Sequence, residues 1–143
     1  MRDLSYAAVM ARKNAIMKAS MGMDYDTFAL SPVAFDYERM MRETGYSLED
    51  VARIQADTKV GNTPLFELTR LTEAVRRTAA PGKGATILVK DEAANASGSF
   101  KARRASISAY EARKKGYKGL AAATSGNYGA AVASQAAMRG LKC

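Results

Sequence analysis

The chain has 143 residues, 48% hydrophobic and 25% charged, which is single-domain size and a globular, soluble composition that excludes disorder. Lys and Arg number 22 against 14 Asp and Glu, a net charge of +8. The cations are scattered, and the densest group (Arg113, Lys114, Lys115, Lys118) closes a helical segment, where it complements the helix dipole; this argues for small anionic ligands over nucleic acid. Histidine is absent, which removes Ser-His-Asp or Cys-His catalysis and histidine-ligated metal, and the single Cys143 can form no internal disulfide and suits a reducing cytoplasm.

Arg2, Asp3, Arg12 and Lys13 surround a very short apolar run, so the first residues read as no signal peptide, and nothing is long enough to span a membrane. Leu4, Ala7, Ala8, Ala11, Ala15 and Ala19 recur at helical spacing and predict a first helix stopped at Gly22; Met10 and Met17 on it are ordinary core or docking side chains. Residues 35–44 predict a second helix, capped by Asp36 and ended by Gly45. Ser47-Leu48-Glu49-Asp50 has the form of a capping box opening a third helix through Asp57. Residues 1–58 thus read as a helical extension without visible chemistry, suited to packing against another domain or subunit.

At Gly61-Asn62-Thr63-Pro64-Leu65 turn residues lead into a short strand through Leu68, with the proline suited to a strand's first residue. A helix over 70–79 follows. The loop Pro81-Gly82-Lys83-Gly84 lacks the frame of a nucleotide-binding glycine loop and reads as a connection into a strand over 86–90. Residues 102–115 predict a helix ending near Gly116, residues 119–123 a third strand, and a small-residue helix runs to about Arg139. The alternation predicts an α/β fold with a parallel sheet, right-handed crossovers and flanking helices over residues 59–143. Since the pattern calls for another strand where the sequence stops, the domain reads as incomplete.

Two turns carry the chemistry. Asn95-Ala96-Ser97-Gly98-Ser99-Phe100-Lys101 ends at a lysine opening a helix, where a cation opposes the helix dipole. The helix-end field and neighbouring Arg103 and Arg104 would favour the neutral amine, a nucleophile toward aldehydes. The Gly/Ser loop, Ser99 included, would offer N–H groups to an anion; the plainer alternative is a solvated basic helix. Thr124-Ser125-Gly126-Asn127-Tyr128-Gly129 again places Ser and Gly at a helix start, as a carboxylate or phosphate site or simply as an N-cap by Ser125 or Asn127. In an open parallel sheet both turns fall on the edge where ligands collect.

Taken in order and spacing, Gly61–Leu65, Ser97–Lys101 and Thr124–Gly129 resemble the tryptophan-synthase-β type of pyridoxal-phosphate enzymes (fold type II), which includes threonine synthase, cysteine synthase and threonine deaminase. The Ser-Gly-Ser-Phe-Lys-Ala-Arg-Arg run and the helical preface resemble most the thiolase branch. The resemblance implies that Lys101 would hold pyridoxal 5'-phosphate as an internal Schiff base and later shuttle the substrate α-proton. Ser99 and Asn127 would contact the cofactor, and Thr124, Ser125, Gly126 and Asn127 would receive the substrate carboxylate. It further implies an amino-acid substrate, 2-amino-4-oxopentanoate, cleaved with coenzyme A to acetyl-CoA and alanine in ornithine degradation, together with a small partner subunit, homo-oligomerisation and no metal. Ala96 and Ala102 depart from the wider family, where proline and aspartate are usual, which weakens a threonine or cysteine synthase assignment. The family's phosphate cup and pyridine-nitrogen partner lie farther downstream, so these 143 residues alone would hold cofactor weakly and not turn over. A non-catalytic basic module has only the net charge in its favour.

Overall fold

The computed structural model describes Asp3 and residues 5–143. Leu4, the first position of the predicted N-terminal helix, lies outside the described residues, as does Arg2. The chain divides into two compact units, residues 1–50 and 51–143. No helix among the described residues is long and apolar enough to cross a membrane.

In the first unit the predicted single helix is two, α1 (Tyr6–Met10) and α2 (Lys13–Met21). Arg12 makes the break: its backbone N–H bonds Val9 O at 3.0 Å, and its Nε takes the Ala8 carbonyl at 3.1 Å, closing α1 with a side chain. Gly22 stops α2 as expected. The extension is also not purely helical, for β1 (Ala29–Ser31) and β2 (Ala34–Phe35) form an antiparallel hairpin about Pro32 and Val33. Its signal was the Ser31-Pro32 turn pair. Phe35 therefore belongs to a strand, where its ring meets Tyr25 at 4.7 Å, Tyr37 at 4.8 Å and fully buried Phe28 at 5.9 Å. Helix α3 (Tyr37–Glu43) begins after Asp36, whose carboxylate accepts from Arg39 N at 3.0 Å. The predicted capping box opens α4 (Leu48–Ala56): Ser47 Oγ accepts from Asp50 N at 3.0 Å, and Asp50 Oδ2 accepts from Ser47 N at 3.1 Å.

The second unit continues with β3 (Leu65–Glu67), α5 (Thr69–Thr78), β4 (Leu88–Lys90), α6 (Lys101–Lys114) and α7 (Asn127–Met138). It is α/β, but the predicted parallel sheet is not what the described residues form. Strands β3 and β4 pair antiparallel, Phe66 opposite Val89. The chain leaving α5 retraces that helix, because Arg76 Nη2 donates to Thr86 Oγ1 at 2.6 Å and Ile87 N donates to Thr72 Oγ1 at 2.9 Å. It re-enters beside Leu68, whose N–H takes Ile87 O at 2.9 Å, and so runs against β3 rather than with it. The strand predicted over 119–123 is reduced to one parallel bridge, Gly119 to Lys142, because only there does a neighbouring segment offer its backbone: Leu120 N donates to Lys142 O at 2.8 Å.

Helices α6 and α7 lie side by side and run the same way. Near their starts the Arg104 guanidinium sits over the Tyr128 ring at 5.1 Å, and near their ends Arg113 Nη1 donates to Arg139 O at 3.3 Å. Their seam is small and dry: Ala105 and Ala131 are fully buried and Val132 nearly so, with Leu120, Ala122 and Tyr128 packed around them.

Candidate active site

Because α6 and α7 are parallel neighbours, the loop feeding each one arrives at the same end of the pair. The predicted Lys101 and Asn127 turns are thereby brought to one edge. Lys101 is the first residue of α6, half-buried, its ammonium 4.6 Å from the Phe100 ring centroid. Thr124, Ser125, Gly126 and Asn127 are exposed at the mouth of α7, where the N–H groups of Asn127 and Tyr128 precede the first bond of the turn, Gly129 N to Gly126 O at 3.0 Å. The Thr124 hydroxyl serves the turn itself, accepting from Gly126 N at 3.2 Å and Gly129 N at 3.0 Å while donating to Gly126 O. Gly126 stands at the N-cap position and the side chain that meets a first-turn N–H is Thr124, so Ser125 and Asn127 are not the capping residues of α7. A cleft of about 460 Å³ among Arg113, Tyr117, Lys118, Met138 and Arg139 lies at the opposite end of the helix pair, away from both turns.

What holds the Lys101 loop is a set of residues that local patterns do not reveal. Glu92, in the 3-10 turn Glu92–Ala94, forms a two-pronged ion pair with Arg103, Oε2 to Nε and Oε1 to Nη2, both at 2.7 Å. The same carboxylate accepts from Thr63 Oγ1 at 2.7 Å and Asn95 Nδ2 at 3.0 Å. Asn95 Oδ1 in turn accepts from Gly61 N at 2.9 Å, and Lys90 Nζ donates to Thr63 O. The Gly61-Asn62-Thr63 turn thus buttresses the catalytic-loop candidate. An acid eleven positions before an arginine, straddling an Asn-initiated loop, is the only signal it leaves in the sequence. Arg103 is consequently not a free cation beside Lys101, since its charge is met by Glu92.

The Arg103 guanidinium, then the Thr63 hydroxyl and the Asn95 amide, hold the Glu92 carboxyl down to about 2, below its ordinary 4.5. Folding therefore gains from this group fully above about pH 4.5, and the gain is lost as pH falls through about 2. The urea midpoints of the wild type and Glu92→Gln should differ by a constant amount from pH 8 to about 5 and converge toward pH 2; midpoints that stay equally apart at low pH would refute the assignment.

The residues fit an oxygen-rich anionic cofactor on three counts. Ser97 Oγ and Ser99 Oγ are buried in the Lys101 loop with no hydrogen-bond partner, an arrangement that costs free energy unless something supplies one. Residues 51–143 carry 16 Lys and Arg against 6 Asp and Glu, whereas residues 1–50 carry 6 against 8, so the whole positive excess belongs to the unit holding both turns. Ala102, the residue after Lys101, is fully buried and uncharged, so no carboxylate at that position opposes an anion beside the lysine.

The sequence model of the family described as pyridoxal-phosphate dependent enzyme matches residues 56–143. The chain belongs to that family, as the lysine-bearing loop and the asparagine turn lead one to expect. Among curated proteins it is 63% identical over 142 residues to the 2-amino-4-ketopentanoate thiolase beta subunit of Acetoanaerobium sticklandii, covering 99% of this chain and 30% of that protein. It is 60% identical, with the same coverage, to a second such beta subunit from an unknown prokaryotic organism, and 36% identical over 83 residues (58% of this chain, 21% of the relative) to the threonine synthase of Halalkalibacterium halodurans. The chain spans about 30% of the length of the thiolase subunits it matches. No solved structure matches it.

Proposed function

We propose that this chain forms the lysine-bearing part of an enzyme that cleaves 2-amino-4-ketopentanoate with coenzyme A, giving acetyl-CoA and alanine. The observation that carries this reading is the 63% identity, along 99% of the chain, to a protein of that name. When bound, pyridoxal phosphate supplies an electron sink that stabilises carbanion character in the substrate. Lys101 would hold the cofactor through its amine and would carry the substrate α-proton; no histidine competes for that task. Asn127 would lend an amide donor to the cofactor, while Thr124 and Ser125 would bring backbone N–H groups to the substrate carboxylate, joined by Gly126 where its N–H leaves the Thr124 hydroxyl. Ser97 and Ser99 supply the hydroxyls left without partners inside the loop. Attack of the coenzyme A sulfur on the ketone carbon then breaks its bond to the neighbouring methylene, which is protonated to become the alanine methyl.

Residues 59–143 are, on this reading, the first portion of a parallel α/β cofactor domain completed by sequence beyond these 143 residues. Residues 1–58 serve as a docking extension toward another domain or subunit. The relatives are named beta subunits, which supports a partner subunit, and a homo-oligomer is the expected assembly. A single exposed cysteine suits a cytoplasmic enzyme. The similarity to threonine synthases supports one other outcome, an elimination or replacement enzyme acting on a hydroxy- or phosphohydroxy-amino acid. The full-length protein should form acetyl-CoA from 2-amino-4-ketopentanoate only when coenzyme A is present. Ammonia or phosphate release without coenzyme A dependence would overturn the thiolase reading in favour of the other.

A further inference from the structure

We propose that Glu92 is a positioning residue for Lys101, a clasp that holds the lysine loop in its ligand-ready shape from outside the site. The role rests on Lys101 being the cofactor lysine. One carboxylate binds both ends of the same loop: Asn95, its first residue, through Oε2 at 3.0 Å, and Arg103, just past its last, through both oxygens at 2.7 Å. Thr63 Oγ1 at 2.7 Å completes a set of four donors, so the carboxylate is saturated and has no capacity left for a ligand.

Lys101 and Arg103 stand two positions apart on α6, and such residues point away from each other. Fixing the Arg103 guanidinium therefore sets the rotation of the first turn of α6, and with it the direction of Lys101, without touching the amine. A second tie works from the same side: Gln55 Nε2 donates to Arg103 O at 3.2 Å, and Gln55 Oε1 accepts from Arg103 Nη1 at 3.4 Å. Inside the clasped loop the opposite holds, since the Ser97 and Ser99 hydroxyls have no protein partner. The loop is thus held by its ends and left uncommitted in its middle, the division of labour that preorganisation for a ligand requires.

The test uses the full-length protein loaded with pyridoxal phosphate. Two readouts are taken, the cofactor concentration that half-saturates the long-wavelength absorption of lysine-bound cofactor, and the pH midpoint of that band. Glu92→Gln should weaken cofactor retention about tenfold to a hundredfold and shift the midpoint, with Glu92→Asp recovering part of both. Ala109→Gly, which loosens the same helix from its buried seam, should lower thermal stability yet leave both readouts at wild-type values. A folded Glu92→Gln protein with wild-type retention and midpoint overturns the role, as does an Ala109→Gly protein altered equally. Should Glu92→Gln fail to fold, Arg103→Lys, which keeps the charge but not the paired hydrogen bonds, is read the same way. A wild type lacking both the band and a borohydride-stable adduct on Lys101 refutes the lysine assignment itself, a failure distinct from that of the clasp.

Discussion

Lys101→Ala should lower kcat/KM of the full-length protein at least about 10³-fold while leaving the fold intact. The two halves of this expectation have separate grounds. Lys101 heads α6, where its charge opposes the positive helix end, and alanine there is a better helix former without that charge. Its ammonium contacts the Phe100 ring, a partly exposed contact whose loss is small. Circular dichroism and the thermal midpoint should therefore match the wild type or slightly exceed it. Cofactor absorption and the borohydride-stable adduct should both vanish. Activity that survives, or an adduct that persists on another lysine, would remove Lys101 from the chemistry.

Gly129→Ala carries the second large effect, and its sign is unusual for a glycine within a helix. Alanine in place of helical glycine ordinarily gains up to about 1 kcal/mol. Here the added Cβ would stand 2.2 Å from Thr124 Cγ2 and 3.3 Å from Thr124 Cβ. Thr124 cannot simply turn aside, because its hydroxyl accepts from Gly126 N and Gly129 N and so shapes the asparagine turn. Overlap should win, costing about 1–3 kcal/mol in urea denaturation and weakening substrate binding at the turn. Thr124→Ser removes the offending methyl and keeps the hydroxyl, so the double variant should recover most of the loss. A Gly129→Ala protein as stable as the wild type would mean that the turn is not built as described.

How much of this was legible in the sequence follows the range of each interaction. The caps at Asp36 and Ser47 and the stop at Gly22 are settled by residues within one turn of each other, and the structure has them where the sequence places them. The two turns come near each other for a reason other than the one the sequence offered, since the parallel packing of α6 and α7, with Arg104 over Tyr128, brings them together where no parallel sheet is formed. The antiparallel course of β4 was not legible, since it depends on Thr72 and Arg76 catching Ile87 and Thr86 across a turn of chain with no periodic mark. Nor was the Glu92 clasp, whose donors come from Thr63, Asn95 and Arg103 and converge only after folding. Arg103 reads in isolation as one more positive charge, and its pairing changes what it does.

The alanine seam between α6 and α7 has a consequence for selectivity. Ala105 and Ala131 have no rotamers to rearrange, so Val132 is the one fully packed side chain of the seam through which repacking could retune the contact. A change in what the two turns accept would proceed through groups at the helix starts, such as Arg104 and Tyr128, while the alanines stay.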